Sequence, residues 1–118
     1  MDWYEMKIKQ NPRGEVMVLE VSGKIMGGPD HDKFKDEIKG LIDDGYKDVV
    51  LDFSSVPWIN STGLGILISG YHSLKAAEGS MKICKVKERV LSIFYISQLE
   101  NIFQVFESCE EAVESCSK

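Results

Sequence analysis

The sequence predicts an α/β fold in which a mixed sheet of about four to five strands carries about four helices, with an antiparallel start followed by strand-helix-strand crossovers. Two observations predict it. The opening stretch holds two short alternating or β-branched runs separated by turn residues, the pattern of a hairpin. From Val49 onwards, short apolar runs alternate with stretches whose apolar residues recur at helical spacing, an order that calls for parallel strands joined by crossover helices.

Trp3 to Lys9 alternates apolar and polar side chains, Asn11 to Gly14 supplies turn chemistry, and Val16 to Val21 resumes a mostly apolar, branched pattern. Gly23 and the Gly27-Gly28-Pro29 cluster break the run. Asp30 is then placed to cap a helix that turns Phe34, Ile38, Leu41 and Ile42 to one face, and Asp44-Gly45 ends it. Val49 to Phe53 is a continuous apolar and branched run with one acid in it, as expected of a strand covered on both faces and central in the sheet. A helix starts at Ser61, its apolar residues Leu64, Leu67, Ile68, Tyr71 and Leu74 recurring until Gly79, and Met81 to Cys84 forms the next strand. The crossover between these parallel strands is expected to be right-handed, which lays the Ser61 helix over one face of the sheet. Lys87 to Ser97 reads as a third helix, Ile102 to Phe106 as a brief last strand and Cys109 to Cys116 as a closing helix. No internal repeat, low-complexity tract or linker interrupts residues 1–118, which are read as a single domain.

Bulk properties remove several classes of function. Apolar residues make up 43% and charged residues 28% of the 118, ordinary values for a globular protein with one core. The net charge of -5 argues against a general affinity for phosphate backbones, so nucleic acid is not an expected partner. The N-terminus MDWYEMKIKQ lacks the basic segment and apolar run of a secretion signal, and no stretch approaches the ~18 consecutive apolar residues of a membrane span. The three cysteines, Cys84, Cys109 and Cys116, are odd in number and without paired close spacing, which fits neither a disulfide framework nor a zinc site. Cys109 and Cys116 share a face of the closing helix and are read as packing residues. Together these features predict a cytoplasmic protein with reduced thiols.

The most informative stretch is Asp52 to Leu67, DFSSVPWINSTGLGIL, where strand gives way to helix through Asn60, Ser61, Thr62, Gly63 and Gly65. A helix N-terminus leaves N–H groups without partners and carries about half a positive charge, and one side-chain oxygen suffices to cap it, at about 1 kcal/mol. Three polar residues in succession, preceded by Pro57-Trp58 and followed by two glycines, exceed that need and cost helix propensity in the first turn. They describe a surface that a second protein can touch and modify. Other motifs do not fit. A P-loop needs a Gly-Lys-Ser/Thr ending, a dinucleotide fingerprint needs a third glycine where Ile68 stands, and a nucleophile elbow needs a glycine where Ile59 stands. His31 and His72 are read as solvent-exposed polar residues, and Asp30, Asp32, Asp36 and Glu37 as a solvated helix face rather than a metal site. With no catalytic constellation, metal site or cofactor site, the chain is read as a non-enzyme. Trp58 is either an anchor beneath the loop or an exposed aromatic for a partner. The run Val90, Leu91, Ile93, Phe94, Tyr95, Ile96 holds more apolar residues than one stripe needs. Burial under the last helix is the favoured reading, with partial exposure beside the Ser61 helix as the alternative.

The stretch LDFSSVPWINSTGLGIL closely resembles the signature of the bacterial anti-sigma factor antagonist family, the STAS domain. The resemblance extends to Val16 to Lys24 with the following turn and helix, and to Ala77 to Val90, so it covers nearly the whole chain. It implies a STAS-like sheet and a partner switch. The unmodified domain would bind an anti-sigma factor that is also a serine kinase of the GHKL type, and phosphorylation by that kinase would end the binding. A serine phosphatase would reverse the mark, and a sigma factor would be freed for transcription. Ser61 matches the phosphorylated position, with Trp58, Asn60, Thr62, Gly63, Leu64, Gly65 and Asp30 beside it as partner-binding residues. Two departures stand out: Asn60 occupies a place where many family members have Asp, and the turn MGGPDHD is longer than in many relatives. The family also includes unphosphorylated STAS modules that serve as subunits or regulators of lipid-transport or stressosome-type assemblies, and this is the alternative reading. From the residues themselves no cofactor and no membrane span are expected, and the chain is expected to be a monomer or weak dimer.

Overall fold

The computed structural model describes residues 6–96 and 102–116. Within them, strands β1 (Lys7–Arg13), β2 (Val16–Ser22), β3 (Asp48–Ser55), β4 (Ser80–Cys84) and β5 (Gln104–Phe106) form one sheet in chain order. The β1–β2 pair is antiparallel and the other pairs are parallel. The helices are α1 (Pro29–Asp43), α2 (Ser61–Ala76), α3 (Glu88–Ile96) and α4 (Cys109–Ser115). This is the mixed sheet that the periodicities predict.

Because strand order follows chain order, each crossover steps the sheet in the same direction, and crossovers of one hand then place their helices on one face. Accordingly, α1, α2 and α3 share a core with Met17, Leu19 and Val21 of β2, Val49, Leu51 and Phe53 of β3, and Met81 and Ile83 of β4. The alternate residues Val16, Val18, Val50 and Cys84 point to the other face, where Cys109 and Ala112 of α4 meet them. β3 is therefore covered on both sides, and Val49, Val50, Leu51 and Phe53 all have 0% exposure.

Several elements depart from the sequence reading. Asn11 to Arg13 belong to β1, paired with Val18, Met17 and Val16, and the turn is the shorter Gly14-Glu15. Pro12 is tolerated because β1 is an edge strand with no ladder bond to donate on its outer side. Trp3 to Glu5 of the predicted first strand lie outside the described residues, as does Ser97 of the predicted third helix. Asp30 does not cap α1. The N-cap is Gly28, Pro29 takes the first helical position, where its missing N–H costs nothing, and Asp30 lies inside the first turn. The α1 face is as predicted, with Phe34, Ile38 and Leu41 buried and Ile42 packed at its margin.

α2 stops at Ala76, short of Gly79, whose N–H closes the following turn on the Leu74 carbonyl at 2.7 Å. α3 is not buried under α4, because the two helices lie on opposite faces of the sheet. Val90 and Phe94 instead enter the larger core, where Phe94 and Tyr71 each meet the Phe103 ring at 5.8 Å, while Tyr95 and Ile96 are exposed at 58% and 83%.

The cysteines also differ from expectation. Cys84 and Cys109 form a disulfide across 25 positions of sequence, because the topology brings the end of β4 to the start of α4. The reading of reduced thiols, drawn from sequence spacing, loses its basis there. Cys116 is free and half-buried, its Sγ donating to the Ala112 carbonyl at 3.4 Å. Lys82, only 9% exposed, runs along the same face and donates to Ser115 Oγ at 2.7 Å. Among the described residues no helix is long and apolar enough to cross a membrane.

α1 and α2 pack directly, with the buried Phe34 ring seated against Gly70, where an added Cβ would overlap the ring edge. Gly70→Ala is therefore expected to lower the unfolding free energy by about 1–3 kcal/mol, overriding the helix-propensity gain of alanine. Urea denaturation checks this, and a variant as stable as the wild type would contradict the close packing.

Candidate functional site

β3 leaves the sheet after Ser55, and the loop that follows is pinned from below by Val56 and Ile59, both with 0% exposure. The loop after β2 runs beside it. Gly23 N–H donates to Ser55 O at 3.2 Å, Ile25 N–H to Trp58 O at 3.2 Å, and Asn60 N–H to Ile25 O at 3.3 Å. Ile25 and Ile59 thus form a parallel bridge beyond the named strands, resuming the β2–β3 pairing past an irregularity between Glu20 and Ser22. The two loops are stitched into one platform beneath the start of α2.

Asn60 completes the stitch with both ends of its amide. Oδ1 accepts from Gly63 N–H at 2.8 Å, capping α2, and Nδ2 donates to Met26 O at 3.0 Å. An aspartate could accept the first bond but not donate the second. The Asn at this position therefore has a structural task that an acid cannot fill. Asp30, half-buried, serves the same loop, its Oδ2 accepting from Met26 N–H at 3.2 Å.

The residues singled out from the sequence divide by direction. Gly63 is buried, and a Cβ there would overlap the Ile25 carbonyl oxygen, so this glycine is needed for the bridge to approach the helix. Leu64, at 6% exposure, belongs to the core. Ser61, Thr62 and Gly65 are exposed, nothing lies within 4 Å of a Cβ built on Gly65, and Trp58 is half-buried between the two readings the sequence left open. The Thr62 methyl group sits against Gly27 of the neighbouring loop. The first turn of α2 holds no acidic residue, so apart from the amide cap on Gly63 N–H its dipole has no compensating charge from α2 itself.

Two features escaped the sequence reading. Met26, 45% exposed, lies at the edge of the platform, and the glycines on either side of Ile25-Met26 are the trace it leaves in the sequence. Asp52, Cys84 and Cys109 converge on the opposite face of the sheet. The histidines are exposed, as read: His31 Nδ1 lies 3.6 Å from Asp32 Oδ1, and the His72 ring lies against Tyr71. On the acidic face of α1, Glu37 Oε2 accepts from Gln10 Nε2 at 2.6 Å.

Comparison with known proteins bears on this geometry. The profile of the family described as STAS domain matches residues 5–112. BtrV of Bordetella bronchiseptica, which carries an anti-sigma factor antagonist name, is 26% identical over 107 residues, spanning 91% of this chain and 91% of that protein. The anti-sigma-B factor antagonist of Bacillus subtilis is 28% identical over 67 residues, 57% of this chain and 62% of its own length. The crystal structure of an anti-sigma factor antagonist from Mycobacterium paratuberculosis has the same fold, with a TM-score of 0.78 at 20% identity over 97% of this chain and 96% of that one.

The two-ended role of Asn60 gives an ordered series. Asn60→Ala removes cap and tie together and is expected to cost about 1–2 kcal/mol. Asn60→Asp keeps the acceptor, gains about 0.3–1 kcal/mol from the helix N-terminus and loses the bond to Met26, so its stability falls between alanine and wild type. Denaturant midpoints at neutral pH check the order, and an aspartate variant less stable than the alanine variant would contradict it.

Proposed function

The chain belongs to the STAS domain family, and from that membership we propose that it is an anti-sigma factor antagonist whose binding is switched off by phosphorylation of Ser61. The observation that carries the reading is the exposed Ser61 side chain at the first position of α2, on a platform whose flanking residues Ile59, Gly63 and Leu64 are buried. The anti-sigma factor antagonist names of the relatives support the partner class. In this reading the unmodified chain binds an anti-sigma factor that is also a serine kinase of the GHKL type, and a serine phosphatase restores the binding form. Ser61 is the target of another enzyme's chemistry. Trp58, Asn60, Thr62, Gly65 and Asp30 contribute outward contact or hold the loops that do, while Gly63 and Leu64 shape the surface from beneath.

The switch follows from charge. A phosphate adds about -1.5 to -2 charges at a helix N-terminus, where free N–H groups and the dipole stabilise it, so the fold survives modification. With no acidic residue in the first turn, nothing on α2 nearby repels it. The effect falls on the interface, where a dianion must be desolvated at a cost of a few kcal/mol, weakening affinity by about a hundredfold or more.

Two expectations follow. With the purified cognate kinase, intact mass and peptide mapping should find one phosphate, on Ser61. In calorimetry Ser61→Asp should bind the kinase about a hundredfold more weakly at an unchanged melting temperature, while Ser61→Ala binds and cannot be switched. Equal affinities for wild type and the aspartate variant would sink the proposal, and an unphosphorylated chain would favour a fixed-subunit role. Gly65→Ala separates surface from fold: with open space around the new methyl group it should stabilise the chain by up to about 1 kcal/mol and still weaken the partner. Unimpaired binding by that variant would remove Gly65 from the interface.

A further inference from the structure

We propose that Cys84, Cys109 and Asp52, with the disulfide opened, form a binding site for a divalent ion of the zinc class, so that disulfide and metal are alternative states of one place in the fold. Two sulfurs and a carboxylate oxygen from these residues lie within 4.8 Å of one another. The topology assembles them: Asp52 and Cys84 are directly paired in the β3–β4 ladder, and Cys109, its Cα 5.3 Å from that of Cys84, opens α4. Two thiolates and one carboxylate are donors that zinc accepts, and three protein ligands leave a fourth tetrahedral position for water.

Cys84 and Cys109 are 0% and 5% exposed, which shields the sulfurs, whereas Asp52 is half-buried and lines a cleft with Lys9, Glu20, Ser22 and Ser54, so its carboxylate joins the sulfurs to the surface. Asp52 is already oriented, its Oδ1 accepting from Ser54 N–H at 2.9 Å. Glu20, paired with Asp52 across the β2–β3 ladder and held by Asn11 Nδ2 at 3.2 Å, lies beside Asp52 with Lys9 as its partner across the β1–β2 ladder, so the carboxylate of Asp52 is the charge the ion would meet. All of this lies on the α4 face, away from Ser61, and uses none of the residues assigned to partner binding.

A small thiol can serve as the reductant that opens the site. Two molecules of RSH give two cysteine thiols and one RS–SR, with the electron pair and both protons passing to the protein sulfurs. The ion then displaces those two protons to solvent as it binds. A small disulfide oxidant reverses the sequence: the two thiolates give up an electron pair as the Cys84–Cys109 bond forms again, the oxidant leaves as two thiolates that take two protons from solvent, and the ion is released.

The test uses the full chain, reduced with a phosphine, freed of reductant and titrated anaerobically with Co2+ alone. The expected result is one equivalent of saturable thiolate-to-cobalt absorption in the near ultraviolet with tetrahedral bands in the visible, displaced by Zn2+ and absent from the disulfide form. Cys84→Ser and Cys109→Ser should each lose the signal, Cys116→Ser should retain it, and Asp52→Asn should weaken affinity at least about tenfold. A readout that does not depend on variants is alkylation of the reduced wild type, in which Zn2+ should protect Cys84 and Cys109 but not Cys116. No cobalt signal from the reduced wild type, a signal that survives Cys109→Ser, or alkylation unaffected by Zn2+ would overturn the proposal.

Discussion

The pairing of Ile25 with Ile59 is the constraint on which the rest of the site depends. Both side chains are buried, at 1% and 0% exposure, and burial of each is worth about 1.5–3 kcal/mol. The backbone bonds on either side of the bridge run from Gly23 to Asn60 and tie the two loops to each other. The approach is so close that position 63 admits only glycine, since the Ile25 carbonyl occupies the place of a side chain. A surface held in this way is ordered before any partner arrives. Association with a partner at this surface would therefore not need to spend free energy on arranging loops.

The sheet itself imposes an asymmetry. Growth in one direction sends every crossover helix to the same side, so among the described residues α4 is the one helix on the second face. A helix of that length has little stability of its own. It is held by the contacts of Cys109 and Ala112, by the bond from Lys82 to Ser115 and by the cross-link to Cys84. Closing a loop of 25 residues restricts the unfolded chain by about 3–4 kcal/mol in the chain-entropy model. The attachment of α4 thus depends on the state of two sulfurs to a degree that α1, α2 and α3, sunk in the larger core, do not share.

What the sequence made legible was whatever depends on local periodicity. Val49 to Phe53 reads as a strand covered on both faces because its residues are apolar on both parities, and the α1 face is spelled by Phe34, Ile38 and Leu41. Features decided by neighbours in space were not legible. Asn11 and Pro12 have turn chemistry, yet an edge strand accommodates both. Asp30 is a capping residue by type, but Pro29 already opens the helix, and the carboxylate turns back to Met26. The α3 stripe does not say which face of the sheet it will cover, because the direction of sheet growth decides that. Cysteine spacing likewise carries no information about two residues that a crossover brings together. Gly63 and Gly65 show the limit most clearly: two positions along a helix is a rotation of about 200°, so one meets Ile25 and the other faces solvent.

Asn60 connects the stitched platform to the proposed switch. A carboxylate at the N-cap would compensate the positive end of α2 and stand beside any phosphate on Ser61. Two like charges about 6 Å apart at an effective dielectric of about 20 repel by roughly 3 kcal/mol before salt screening. The amide caps Gly63 equally well, leaves the helix end uncompensated, and spends its second function on Met26. A phosphorylated state, if formed as proposed, would accordingly be favoured relative to that of a chain with an acid at position 60, and the unmodified state loses nothing in loop order. In the proposed switch the amide would therefore shift the balance towards phosphoserine by removing that repulsion, while its own bonds to Gly63 and Met26 stay in place.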